Sequence, residues 1–145
     1  MTINQGYYKT DKGEKVIIDS QEYIDLSYKN IVKLILPPGV KYVDCSNNQL
    51  KELILPSGIQ YVSCYNNQLK ELILPSGVKN VHCSNNQLKE LILPSGIQYV
   101  HCENNNITGL ILPSGVKYVS CDDGAIDDPM IYKDWDTYIE IYFYK

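Results

Sequence analysis

The sequence contains no arginine: all 13 of its Lys+Arg positions are lysine, set against 17 Asp and Glu for a net charge of −4. Bidentate reading of guanine and phosphate falls mainly to Arg on a basic face, so nucleic acid is not an expected partner. No run of about 18 apolar residues occurs, and a membrane span is not expected. The opening MTINQGYYKTDKGEKV has no charged segment followed by an apolar one, so no secretory signal is expected either. Also missing is any Cys-x-x-Cys pair, and the five cysteines are an odd number that a closed set of disulfides would not use up. Reduced thiols and a cytoplasmic location, in the source cell or in a host cell, are the expectation. What remains, 145 residues of which 44% are apolar, is enough for one domain with a continuous core and too little for two.

What is present is a repeat. Cys45, Cys64, Cys83, Cys102 and Cys121 stand 19 residues apart, and their surroundings recur with them. One unit reads GVKYVDCSNNQLKELILPS and the next GIQYVSCYNNQLKELILPS; then come GVKNVHCSNNQLKELILPS, GIQYVHCENNNITGLILPS and an incomplete GVKYVSCDDG. Stepping back one unit from Cys45 reaches Leu26 in QEYIDLSYKNIVKLILPPG, a degenerate first unit. The Val-Lys and Ile-Gln openings alternate along Val40, Ile59, Val78, Ile97 and Val116, as duplication of a two-unit block would leave them.

These residues resemble the leucine-rich repeat, L-x-x-L-x-L-x-x-N-x-L, written here as Val40, Val43, Cys45, Asn48 and Leu50 and again at each unit to Ile97, Val100, Cys102, Asn105 and Ile107. The resemblance spans residues 21–124, with units starting near 21, 40, 59, 78, 97 and 116. It departs in carrying Cys where Leu is usual, and Lys29 and Gly124 where the end repeats should have Asn. The short unit with LILP in its second half is similar to repeats of bacterial effectors and large DNA viruses. The fold it implies is mostly β: a right-handed solenoid with a parallel concave sheet of about six rungs, an extended convex side and capped ends.

Alternation in KYVDC places Val43 and Cys45 inward and Tyr42 and Asp44 outward. Asn48, Asn67, Asn86 and Asn105 fall where the chain leaves each strand, their amides expected on backbone groups of the turn. An open solenoid exposes its core at both ends. Residues 1–20, with a hairpin turn at Asp11-Lys12-Gly13-Glu14, form the expected N-terminal cap. Residues 125–145 form the expected C-terminal cap, with a helix start at Asp128-Pro129, Trp135 over the last rung, and a strand across 138–144.

The family implies binding, and no enzyme activity is expected. Partner-binding candidates are the outward Tyr42, Tyr61, Tyr99 and Tyr118 with Asn80, Asp44, His82 and His101, since Tyr offers large area and little rotamer entropy to lose. Lys41, Lys79 and Lys117 along one edge, with Asp44, Glu103 and Asp122 further on, suggest mixed charge and hence a polypeptide partner with polar and apolar groups. His82 and His101 are too few to complete a metal site, Ser63, Ser84 and Ser120 have no triad around them, and CDDGAIDDP lacks calcium-loop spacing. No metal and no cofactor are expected. Ile35, Ile54, Ile73, Ile92 and Ile111 should line the convex wall, and Ile54, Ile73 and Ile92 are the candidates for a weak homodimer.

Overall fold

Each unit makes one turn of a solenoid because its two apolar phases, one ending in Cys and one in Leu-Ile-Leu-Pro, must both face the same core. The computed structural model describes residues 5–128 and 139–145. Its strands are β1 (Gly6–Thr10), β2 (Lys15–Ile18), β3 (Tyr23–Asp25), β4 (Ile31–Ile35), β5 (Tyr42–Asp44), β6 (Glu52–Ile54), β7 (Tyr61–Ser63), β8 (Asn80–His82), β9 (Tyr99–His101), β10 (Tyr118–Asp122) and β11 (Glu140–Tyr144). Among the described residues there is no helix. The proposed helix start at Asp128-Pro129 and the position of Trp135 involve residues 129–138, outside the described residues.

The concave sheet is parallel and ordered β3-β5-β7-β8-β9-β10-β11. From β3 to β10 the partners are one unit apart: Tyr23↔Tyr42, Tyr42↔Tyr61, Tyr61↔Asn80, Asn80↔Tyr99 and Tyr99↔Tyr118. The last step, Tyr118↔Glu140, adds β11 in parallel as a seventh strand beyond the repeats. The second sheet, β2-β1-β4-β6, makes the convex wall at the N-terminal end, where the β1–β2 hairpin lies antiparallel against β4. Farther along, the wall is extended and adds no further strand to this sheet among the described residues, and the four Pro-Ser-Gly corners are closed by the bond from Ile59 N–H to Pro56 C=O (3.2 Å) and its equivalents.

Val40, Val43, Cys45 and Leu50, with their counterparts in the other full units, are at most 4% exposed and form one core. Leu55 and Leu74, at the corner where the wall meets Pro, are only partly buried, whereas Leu93 and Leu112 are buried. All five cysteines are free and buried. Burial pushes the thiols of Cys45, Cys64, Cys83 and Cys102 far up and that of Cys121, with Asp122 beside it, up to about 11. Thiols held protonated in this way are poor nucleophiles and pack as small apolar groups.

The two asparagines of each Asn-Asn pair do different work. Asn47, Asn66, Asn85 and Asn104 take left-handed φ of 54–57°, which Asn tolerates better than other non-glycine residues. The second asparagine bridges rungs. The Oδ1 of Asn86 accepts from Leu69 N–H (3.0 Å), and its Nδ2 donates to the carbonyls of Cys64 and Cys83 (both 3.0 Å). Asn48, Asn67 and Asn105 repeat the arrangement one unit apart. Where the series ends, Asp122 substitutes for the next rung: its two carboxylate oxygens accept from Asn104 N–H and Asn105 N–H, each at 2.8 Å. In the preceding turn those roles fall to the carbonyls of Glu103 and Asn104.

Asn86→Ala would strand three buried backbone groups and should therefore cost about 3 kcal/mol or more. Its neighbour Asn85 needs only the left-handed backbone, so Asn85→Gly should stay within about 1 kcal/mol of wild type. Urea unfolding of both variants checks the contrast.

Candidate functional site

Three outward rows cross the concave sheet. The first runs Tyr23, Tyr42, Tyr61, Asn80, Tyr99, Tyr118, Glu140; the second runs Asp25, Asp44, Ser63, His82, His101, Ser120, Tyr142. The third, past the inward cysteines, includes Ser46, Tyr65, Ser84, Glu103, Asp122 and Tyr144. The structure places Tyr42, Tyr61, Tyr99, Tyr118, Asn80, Asp44, His82 and His101 on this one face. Tyr42, Tyr61 and Tyr99 are each about 40% exposed, and Tyr118 and both histidines are half-buried.

Their proximity comes from strand spacing of about 4.8 Å, close to the thickness that offset rings prefer. Five rings form a continuous ladder: Tyr65 to His82 at 4.5 Å between centroids, His82 to His101 at 5.0 Å, His101 to Tyr118 at 4.8 Å and Tyr118 to Tyr142 at 5.4 Å. Sequence reasoning missed Tyr65 and Tyr142. The available signal for Tyr65 was that Ser46, Ser84 and Glu103 hold the equivalent place, so a lone Tyr there departs from the repeat. Nothing in the repeat places Tyr142, which joins through the extra strand β11.

The charge on this face differs from the mixed balance expected. Lys41, Lys79 and Lys117 stand one residue ahead of the strands, at the rim, and Lys41 is tied to Glu22 at 2.9 Å. The outward rows themselves carry Asp25, Asp44, Glu103, Asp122 and Glu140 and no lysine. Asp25 is held below the usual carboxylate range by the Ser27 N–H and hydroxyl. Burial acts to raise Glu103, but hydrogen bonds, from Ser120 above all, and the nearby His101 outweigh it and hold Glu103 low. Burial, and secondarily the neighbouring His101, lowers His82, against the opposing pull of Glu103 and Asp44.

Serine, histidine and acid do meet here, in an order unsuited to acyl transfer. Ser120 Oγ donates directly to Glu103, His101 Nδ1 lies 3.5 Å from that hydroxyl, and Ser120 is 1% exposed. A triad needs the acid on the histidine and the serine open to substrate. Among the described residues no group of three or more His, Cys, Asp or Glu side chains is placed to hold a metal ion.

On the convex wall Ile73, Ile92 and Ile111 are 76–80% exposed and Ile54 46%. Ile35 is the exception to the expected stripe: it is half-buried because Tyr7 of the hairpin pairs beside it.

No protein-family model and no curated protein matches the chain. Among solved structures it is similar to YopM from Yersinia enterocolitica WA-314, with a TM-score of 0.61 and 32% identity over 63% of this chain. The match takes in 22% of YopM, so the chain spans a small part of that protein's length.

The low pKa of His82 has a consequence for stability. The fold favours the neutral ring, so below about pH 6.5 the unfolded chain takes up the proton first and stability falls as pH drops. The stabilisation from Glu103 is intact there, being lost only as pH falls through about 4.5 and below. The melting temperature should therefore decline between pH 7 and about pH 5, and His82→Gln should flatten that decline; thermal melts across the range measure it.

Proposed function

We propose that this leucine-rich-repeat solenoid is a protein-interaction module that holds an extended polypeptide on its concave sheet and does no chemistry on it. The observation that carries the reading is the ring ladder with its flanking tyrosines. Inward positions barely change from rung to rung, because packing constrains them, while the outward rows run through Tyr, Asn, Asp, Ser, His and Glu. Tyrosines about 40% exposed at the centre of a rigid sheet supply apolar area and hydroxyls with little entropy left to lose. A sheet face without a converging acid, base and open nucleophile favours binding over catalysis. Residues 1–20 and 125–145 are read as caps on the repeat body 21–124. Five buried free thiols fit a reducing compartment such as the cytoplasm. Among the described residues no helix is long and apolar enough to cross a membrane.

The combined variant Tyr61→Ala, Tyr99→Ala, His101→Ala should stay folded, with a melting temperature lowered by the loss of the His101 ring contacts, and should lose the partner that the wild-type protein retains in affinity capture. Retention by both proteins would move the function off the concave face.

A second reading rests on the convex isoleucines. Ile73 at 80% and Ile92 at 79% exposure are far beyond what packing requires, and in register with Ile54 they make an apolar strip suited to a second copy. Ile54→Thr, Ile73→Thr, Ile92→Thr should leave the fold intact and abolish any dimer seen by light scattering; a strictly monomeric wild type at high concentration rules this reading out.

A further inference from the structure

The tyrosine row is broken once. Asn80 lies in register between Tyr61 and Tyr99, and its shorter side chain leaves a notch of about 160 Å³ lined by Tyr61, Asn80, Val81, His82, Tyr99 and His101. That is room for one side chain, well below the roughly 300–1,000 Å³ of a small-molecule site. Among the described residues no hydrogen bond engages the side-chain carboxamide of Asn80, whose backbone N–H donates to the Gln60 carbonyl.

Spacing and charge select the side chain. Strands two apart are separated by roughly 9.6 Å, so a group centred in the notch lies about 4.8 Å from each of the two tyrosine-bearing strands, on the scale of the ~6 Å reach of a cation over an aromatic ring. The chain already contains such a contact, with Lys15 Nζ 4.3 Å from the centroid of Tyr7. A flat guanidinium makes its best contact stacked on one ring at about 3.5–4 Å, off-centre in the notch, whereas a compact ammonium can sit midway between the two walls. The outward rows have carboxylates and no lysine, Asp44 and Glu103 both act on His82 at the notch, and burial keeps His82 neutral at pH 7. The lining of the notch carries no charge of its own, its one neighbouring lysine, Lys79, stands at the rim, and the two carboxylates Asp44 and Glu103 on the outward rows favour a cation over an anion.

We propose that the notch receives a lysine side chain of the partner polypeptide, its ammonium held between Tyr61 and Tyr99 and donating to the Asn80 amide oxygen, with Asp44 and Glu103 drawing in further basic residues. This rests on the concave-face reading and adds the partner's chemistry: an extended, lysine-bearing segment.

The test titrates the ¹⁵N-labelled full chain with synthetic peptides of about eight residues, roughly 27 Å when extended, in which serine alternates with Lys, Arg, Leu or Glu. The Lys-Ser peptide should shift the amides of Tyr61, Asn80 and Tyr99 and bind more tightly than the other three. Asn80→Tyr, which restores the residue other rungs carry and so preserves the fold, should weaken that peptide about fivefold or more by filling the notch. Asp44→Asn with Glu103→Gln should weaken it and reduce its salt dependence. Concave amides that respond best to the Arg, Leu or Glu peptide, or a Lys-Ser affinity indifferent to Asn80→Tyr, overturn the lysine assignment and leave the concave-face reading standing. Peptides that bind while shifting only convex or cap amides overturn both, and no response to any peptide overturns the lysine assignment.

Discussion

Everything on the concave face depends on one side-chain interaction, the amide of the second asparagine in each Asn-Asn pair. The chain leaves the strand at that point and turns away from its neighbours, so its backbone groups would be buried without partners. One carboxamide supplies an acceptor and two donors, which matches the Leu N–H and the two Cys carbonyls it meets in the interior rungs. Because those groups belong to two successive rungs, the bond that satisfies the turn also sets the register between strands. A carboxylate could accept but not donate, and a shorter hydroxyl would not reach both rungs.

That register is what turns a repeat into ordered rows of outward side chains. Once strands are locked one unit apart, equivalent outward residues line up in rows at strand spacing, a separation at which rings on adjacent rungs can stack when their side chains turn toward each other. The ladder from Tyr65 to Tyr142 is a consequence of this regularity, with its members drawn from different rows where the repeat happens to carry a ring. The same regularity creates the problem at the C-terminal end, where no further asparagine follows. Asp122 meets it with two acceptors placed where the next rung's carbonyls would be, so that both oxygens of that carboxylate are engaged by backbone.

The architecture was legible because a 19-residue period, an alternating strand and an asparagine at a fixed place leave few alternatives. What escaped the sequence lies where the repeat stops or where a residue's phase does not specify its neighbours. The hairpin contacts Ile35 through β1, an antiparallel pairing across a long sequence separation, and so shortens the apolar strip. β11 joins the sheet after a longer step than the repeat predicts. Lys41, Lys79 and Lys117, expected along one edge of the face, stand at the rim one residue ahead of the strands.

Repetition also changes how a single substitution is to be read. In an ordinary fold an Asn among tyrosines has many explanations, whereas here Tyr42, Tyr61, Tyr99 and Tyr118 show what that place in the scaffold accepts, and no packing requirement distinguishes the rung that holds Asn80. The departure opens a gap between two aromatic walls and puts a free amide at its base, beside a histidine that burial keeps uncharged. Tyrosine at that position would have given an unbroken aromatic strip, able to hold many partners weakly through area alone. On the proposed reading the interrupted strip ties affinity to one side chain of the partner, because a notch between two walls rewards a group that fills it and leaves a desolvated gap for one that does not. A solenoid whose rungs are otherwise interchangeable thereby acquires a fixed point along its length, and a polypeptide held as proposed would take its register from it.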